Sequence, residues 1–97
     1  MIKVNFKGYS CIVQKSSYQN NGSIAINLLD ETDGTPVLTA SVNLPELPLR
    51  TNHVAIKNYS ENTGVLEVLQ KANVVSPVIV TVPVSPFANA QICECLI

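Results

Sequence analysis

Charge is scarce in this sequence. Only 13% of its residues are Asp, Glu, Lys or Arg, and the net charge is −1, about half the usual charged share. A nucleic-acid binder needs clustered Lys and Arg to displace phosphate counterions. The six basic residues are spread along the chain, with a local excess only at Lys3, Lys7 and Lys15. A protein mimicking DNA needs a dense acidic face, and seven carboxylates do not make one. Nucleic acid is therefore not the partner expected. Histidine occurs once, as His53. The three cysteines are an odd number, which argues against a disulfide framework and fits a reducing compartment. Long apolar runs are missing as well. The most apolar stretch, from Val74 to Val84, is about half a membrane span and is interrupted by Pro77 and Pro83. Residues 1–7 lack the apolar run of a signal peptide. The expectation is a soluble cytoplasmic protein without a membrane partner.

What is present is enough for one core. Ninety-seven residues with 46% hydrophobic content make a single domain over 1–97, hiding roughly 65% of the surface of the open chain. Ile2, Val4 and Phe6 alternate with polar residues, the period of a half-buried strand. Tyr9, Cys11 and Val13 resume the alternation after Gly8, so residues 2–16 read as one bent strand or two short ones, with Phe6 and Tyr9 in the core. Asn20-Asn21-Gly22 and Asp30–Gly34 read as hairpin turns, the first fitting a type I′ turn. Ile24, Ile26 and Leu28 point inward between them. Leu38, Ala40, Val42 and Leu44 follow as core positions, with Thr39, Ser41 and Asn43 facing water. These strands form a three-stranded meander. Pro45 and Pro48 then impose an irregular connection, and His53–Lys57 forms a short strand.

Val65, Leu66, Val68, Leu69 and Ala72 recur at helical spacing. Asn58 or Ser60 caps the helix start, Glu67 and Lys71 pair across a turn, and Asn73 closes it. Val78, Val80, Val82 and Val84 alternate with Ile79 and Thr81, so the next strand is apolar on both faces and central where it begins, with Pro83 placing its end at an edge or bulge. Residues 90–97 form a last strand. The fold class expected is α+β: a mostly antiparallel, twisted sheet or half-barrel of about five or six strands with one amphipathic helix packed on it.

Reactive constellations are hard to assemble from these residues. Cys93 and Cys95 with Cys11 and His53 are four soft ligands, but a strand holds Cys93 and Cys95 about 6.5 Å apart on one face. Packing as small hydrophobes accounts for the thiols better. A Cys–His nucleophile has only His53 to rely on, and no helix start adjoins a cysteine to activate it. No Gly-x-Ser-x-Gly occurs, and both aspartates lie in one hairpin loop. The same loop misses calcium spacing, because with Gly34 in the glycine place the first ligand position falls on Leu29. No catalytic residue, metal or cofactor is expected.

Two features point to a surface instead. The segment from Leu44 to Arg50 puts leucines and an arginine on a proline-stiffened connection. It either lids the core or presents Leu47, Leu49 and Arg50 as a docking ridge. Tyr18, beside the Asn-Gly turn, and Phe87, in the last loop, fall where exposure is expected. Tyr18, Leu47, Leu49, Arg50 and Phe87 are the candidate protein-binding residues.

Gly8-Tyr9-Ser10-Cys11, Asp33-Gly34-Thr35-Pro36, Val42-Asn43-Leu44-Pro45 and the stretch from Ile56 to Gly64, with its Ser-Glu-Asn-x-Gly, occur in that order. Over roughly residues 6–72 the chain resembles a family of small uncharacterised proteins carried by bacterial phages and conjugative elements. The resemblance implies a mobile-element product working in the cytoplasm of a bacterial host cell, and it transfers no functional residue. Small proteins of that origin often act by binding a host protein. The function expected is a non-enzymatic protein-binding module whose partner is a host or phage protein. Such a module would inhibit an antiviral defence complex, in the manner of an anti-CRISPR protein, by covering its surface. The alternative is a structural or accessory component of a phage particle or conjugation apparatus. The sparse surface charge also favours a homo-oligomer.

Overall fold

The structure is a computed structural model, and it describes residues 2–47 and 49–97. Strands β1 (Lys3–Phe6) and β2 (Tyr9–Ser17) form a hairpin whose two turn residues, Lys7 and Gly8, both take positive φ, 50° and 86°. That is the type I′ signature, which matches strand twist. The chain therefore reverses at Gly8 rather than bending there. Phe6 and Cys11 are buried on the inner face. Tyr9 shares that face as the register partner of Phe6 but is 55% exposed, contrary to its expected place in the core. It sits at the turn end of the hairpin, beyond the layer that covers Phe6.

Strands β3 (Ile24–Asp30) and β4 (Pro36–Thr39) complete a four-stranded antiparallel sheet in the order β1-β2-β3-β4. Its two remaining hairpins are closed by one device. Tyr18 and Asp30 each donate an N–H to a residue five ahead, Ser23 and Thr35, and accept one from Gly22 and Gly34. Both glycines take positive φ, 73° and 75°. Each is a four-residue loop ending on a left-handed glycine, so the Asn-Gly signal marks a hairpin of a different type from I′.

After Thr39 the chain crosses to a second sheet. The Ala40 N–H bonds to the Ile26 carbonyl, while the Ala40 carbonyl accepts from Lys57 N–H. Ser41 then bridges Ile56, and Val42 N–H reaches Ala55. The strand thus ends at Thr39, five residues before the alternation of apolar residues ends at Leu44. At this corner the sides exchange, and Ser41, expected in water, is 3% exposed. Its hydroxyl accepts the Ile26 N–H at 3.0 Å and shares a 2.9 Å hydrogen bond with the Tyr18 hydroxyl.

The second sheet is also antiparallel. It contains β5 (His53–Lys57), β6 (Val80–Ser85) and β7 (Ala88–Glu94) in the order β5-β7-β6. Between β5 and β6 come a 3₁₀ turn, Ser60–Asn62, and the helix α1, Val65–Lys71. Asn58 does cap the helix. Its side-chain oxygen accepts from the Gly64 and Leu66 N–H groups at 3.0 and 3.1 Å, filling two of the free amides. Asn62 is buried and donates to the Thr39 carbonyl at 2.7 Å, tying the helix entry to the end of β4. Asn73, at φ 58°, ends the helix in the left-handed conformation that asparagine tolerates. Glu67 and Lys71 do not pair. The ion pairs among the described residues are Lys3–Glu31 and Lys57–Glu61.

Val65, Leu66 and Leu69 bury against β1 and β5, and join Phe6, Cys11, Ile26, Leu28, Val54, Ile56 and Cys93 in the main core. Each fully buried Leu or Ile in it contributes roughly 1.5–3 kcal/mol. A smaller cluster occupies the opposite face of the second sheet. There Ala55, Ala90 and Ile92 lie beneath Val42, Leu44, Leu47, Leu49, Val82 and Val84. The fold is α+β as expected, with seven strands among the described residues in two sheets instead of one, and the sheets do not close. Among the described residues no helix is long and apolar enough to cross a membrane.

Candidate protein-docking surface

The titratable groups are dispersed. Among the described residues, no three of His, Cys, Asp or Glu converge on a point that could hold a metal ion. Cys11 and Cys93 are fully buried, and Cys95 is half-buried. Burial pushes the Cys93 thiol up to about 11. Burial, with the Asp30 charge adding to it, also raises Cys11. Both are thiols rather than thiolates at neutral pH, the unreactive state for nucleophilic or ligand chemistry. His53 opens β5 opposite Glu94, at the rim of the second sheet. It lines a small recess of about 110 Å³ with Asn21, Ser23, Leu49 and Arg50.

The five candidate residues fall into two groups. Tyr18 is half-buried, contrary to its expected exposure, because its hydroxyl turns inward to Ser41. Leu47 and Leu49 are half-buried over the Ala55, Ala90 and Ile92 cluster, so with Leu44 they lid the second sheet, while Pro48, expected to stiffen this connection, lies outside the described residues. Arg50 is exposed, and its carbonyl accepts the His53 N–H. Phe87 is 99% exposed at the tip of the β6–β7 hairpin. Since β7 runs from Ala88 to Glu94, Phe87 stands roughly 20 Å from the end where His53 pairs with Glu94. Leu49, Arg50 and the loop after Tyr18 gather at the His53 end. Leu47 and Phe87 lie along β6.

Along that strand the chain presents a surface the sequence pattern conceals. Strand β6 is the edge of its sheet and not central, because β7 inserts between β5 and β6. Val78, Ile79 and Val80 are 40, 52 and 49% exposed in succession. Beside them Val82, Pro83 and Val84 face Leu44, Pro45, Glu46 and Leu47 across a groove of about 500 Å³. Pro83 and a register shift between Pro83 and Ser85 interrupt the ladder, as edge strands require. The end of β6 lies at an edge and beside a register shift, as Pro83 predicts, and only the central start is overturned. The signal that could have revealed the edge there was Pro77, since proline is confined to sheet edges and bulges.

A scan of protein-family models found no match to this chain, and searches of curated proteins and of solved structures found none either.

Proposed function

We propose that this chain is a non-enzymatic protein-binding module that docks through the groove between β6 and the Leu44–Leu47 segment, with Phe87 as its anchor. The observation that carries the reading is Phe87 itself, an aromatic side chain 99% exposed on the hairpin tip three residues after Val84, the last groove-lining residue of β6. Aromatic anchors seated in a partner's pocket dominate interface energies. Glu46, on the lip of the groove, supplies polar rim contacts. An inhibitor that covers a surface of a host or phage protein needs no more than this. The resemblance to phage and conjugative-element proteins supports that use, in a bacterial host cell and against an antiviral complex.

The alternative, a building block of a larger assembly, needs a strand edge that extends without limit. Pro83 and the adjoining register shift count against that. Removing the Phe87 ring should cost about 2 kcal/mol of binding, roughly a thirtyfold loss of affinity. In a pull-down from bacterial lysate at micromolar concentration, a partner held by the natural chain should be lost by Phe87→Asp. Circular dichroism should show the variant folded. Equal recovery by Phe87→Asp and Val84→Lys would refute the reading.

A further inference from the structure

We infer that the open edge of the first sheet, where β1 runs beside α1, takes an extended acidic segment of a partner protein as an added strand. The inference does not depend on Phe87 or on the groove along β6, which belong to the second sheet.

Strand β1 is the outermost strand of its sheet, and its register decides which way its peptide groups point. The Val13 N–H bonds to the Ile2 carbonyl. From there the register sets Val4 opposite Cys11 and Phe6 opposite Tyr9. Hydrogen-bonded pairs alternate along an antiparallel ladder, so Ile2, Val4 and Phe6 are the residues that bond β2. Lys3 and Asn5 therefore aim their N–H and C=O groups away from the sheet, about 6.8 Å apart. Among the described residues no other main-chain group meets them.

These groups border a groove of about 390 Å³ lined by Lys3, Val4, Asn5, Val68, Lys71 and Ala72. Val4, Val68 and Ala72 are half-buried and pack on the main core, which makes the helix side of the groove apolar. An added strand uses both features. The ladder holds its backbone, and every second side chain enters the groove.

Charge selects the occupant. Lys3 and Lys71 are exposed on the groove, and Lys7 follows at the hairpin turn with its ammonium on the Glu61 carbonyl. Of the nearby carboxylates, Glu31 pairs with Lys3, while Glu67 lies outside the groove lining. The rim is net positive and suits carboxylates. The same lysines disfavour a second copy of this edge. Two β1 strands paired antiparallel about Asn5 would set lysine against lysine.

An antiparallel occupant bonds Lys3 and Asn5 through residues whose side chains share their outward face. Those residues carry the carboxylates, beside Lys3. The residues between them carry the apolar side chains, which meet Val4, Val68 and Ala72.

The probe is a fluorescein-labelled peptide of about six residues alternating glutamate with valine, titrated with the full chain and read by fluorescence anisotropy. It should bind with a Kd between about 10 and 500 µM, as a short transient contact does, and weaken as salt rises. N-methylation of its glutamates removes the N–H groups that face β1 and should weaken binding at least ~10-fold. N-methylation of its valines should change binding less than ~2-fold, because those N–H groups face water. Lysine in place of glutamate in the peptide, or Lys71→Glu in the protein, should also cost at least ~10-fold. Asn5→Pro removes an outward N–H and spares the ladder with β2, so it should fold by circular dichroism and lose the peptide. If it does not fold, the methylated peptides carry the test without any variant. A natural chain that leaves the peptide free at about 500 µM would overturn the inference. So would equal binding by the two methylated peptides, a greater loss with the valine one, or binding indifferent to the charge changes.

Discussion

Ser41→Ala tests whether the corner between the sheets is held as described. The Ser41 hydroxyl accepts the Ile26 N–H at 3.0 Å and bonds the Tyr18 hydroxyl at 2.9 Å. Both Ser41 and Ile26 are buried. Alanine fills nearly the same space, so no cavity contributes. What remains is an amide N–H stranded away from water, costing about 1–3 kcal/mol, and the lost bond to Tyr18, about 1 kcal/mol. The sum, about 3 kcal/mol, is a large part of the stability of a small domain. At roughly 4 °C per kcal/mol it lowers the melting temperature by about 12 °C. Tyr18→Phe alone should cost about 1 kcal/mol or less, because Ser41 still serves Ile26. In the Ser41→Ala background the same change should cost almost nothing, since the tyrosine hydroxyl has already lost its partner. Urea unfolding followed by circular dichroism measures all four corners of this cycle, with unchanged slopes confirming a common unfolding reaction. A Ser41→Ala cost below about 0.5 kcal/mol, or strict additivity with Tyr18→Phe, would refute the hydrogen-bond account.

Two further outcomes concern protons and thiols. Glu61 is held below its usual range by its bond to the Lys57 ammonium, and Asp33 by the Thr35 amide and hydroxyl. A carboxylate lowered on folding stabilises fully above its unfolded pKa and loses that contribution as pH falls through the folded value. Urea midpoints should therefore decline as pH drops below the ordinary Glu and Asp values of 4.5 and 3.8, and the decline should be shallower in Glu61→Gln and Asp33→Asn. Both groups are fully exposed, so screening keeps the effects small and salt should reduce them. Among the cysteines, Cys95 is half-buried while Cys11 and Cys93 are fully enclosed, and the Cys93 thiol is raised to about 11. A disulfide reagent at neutral pH should modify Cys95 first. Cys95→Ser should remove that fast phase and leave thiols that react only as the chain unfolds.

The helix was legible because Val65, Leu66, Val68 and Leu69 carry a period that no strand shares, and Asn58 stands where its carbonyl can cap. The hairpins were legible through Gly22 and Gly34, although a dipeptide does not reveal loop length. The two-sheet division was hidden at Ala40–Ser41. Alternation from Leu38 to Leu44 continues through the corner, so it conceals the point where the chain changes sheets and Ser41 turns inward. The start of β6 is at an edge and not central for a related reason, while its end at Pro83 lies at an edge and bulge as expected. A strand apolar on both sides resembles a central one, and its pattern says nothing about whether another layer covers it. Of the candidate surface, Phe87 stood out because a hairpin tip leaves an aromatic ring nothing to pack on. Tyr18, Leu47 and Leu49 lie near surface connections but are drawn back onto the protein by Ser41 and by the Ala55, Ala90 and Ile92 cluster.

Residue 40 has a consequence for how the molecule comes apart. Its peptide groups clasp Ile26 on one side and Lys57 on the other, like a rivet through two plates. Neither plate can peel away while that rivet holds, and heat or denaturant should dismantle them in one event.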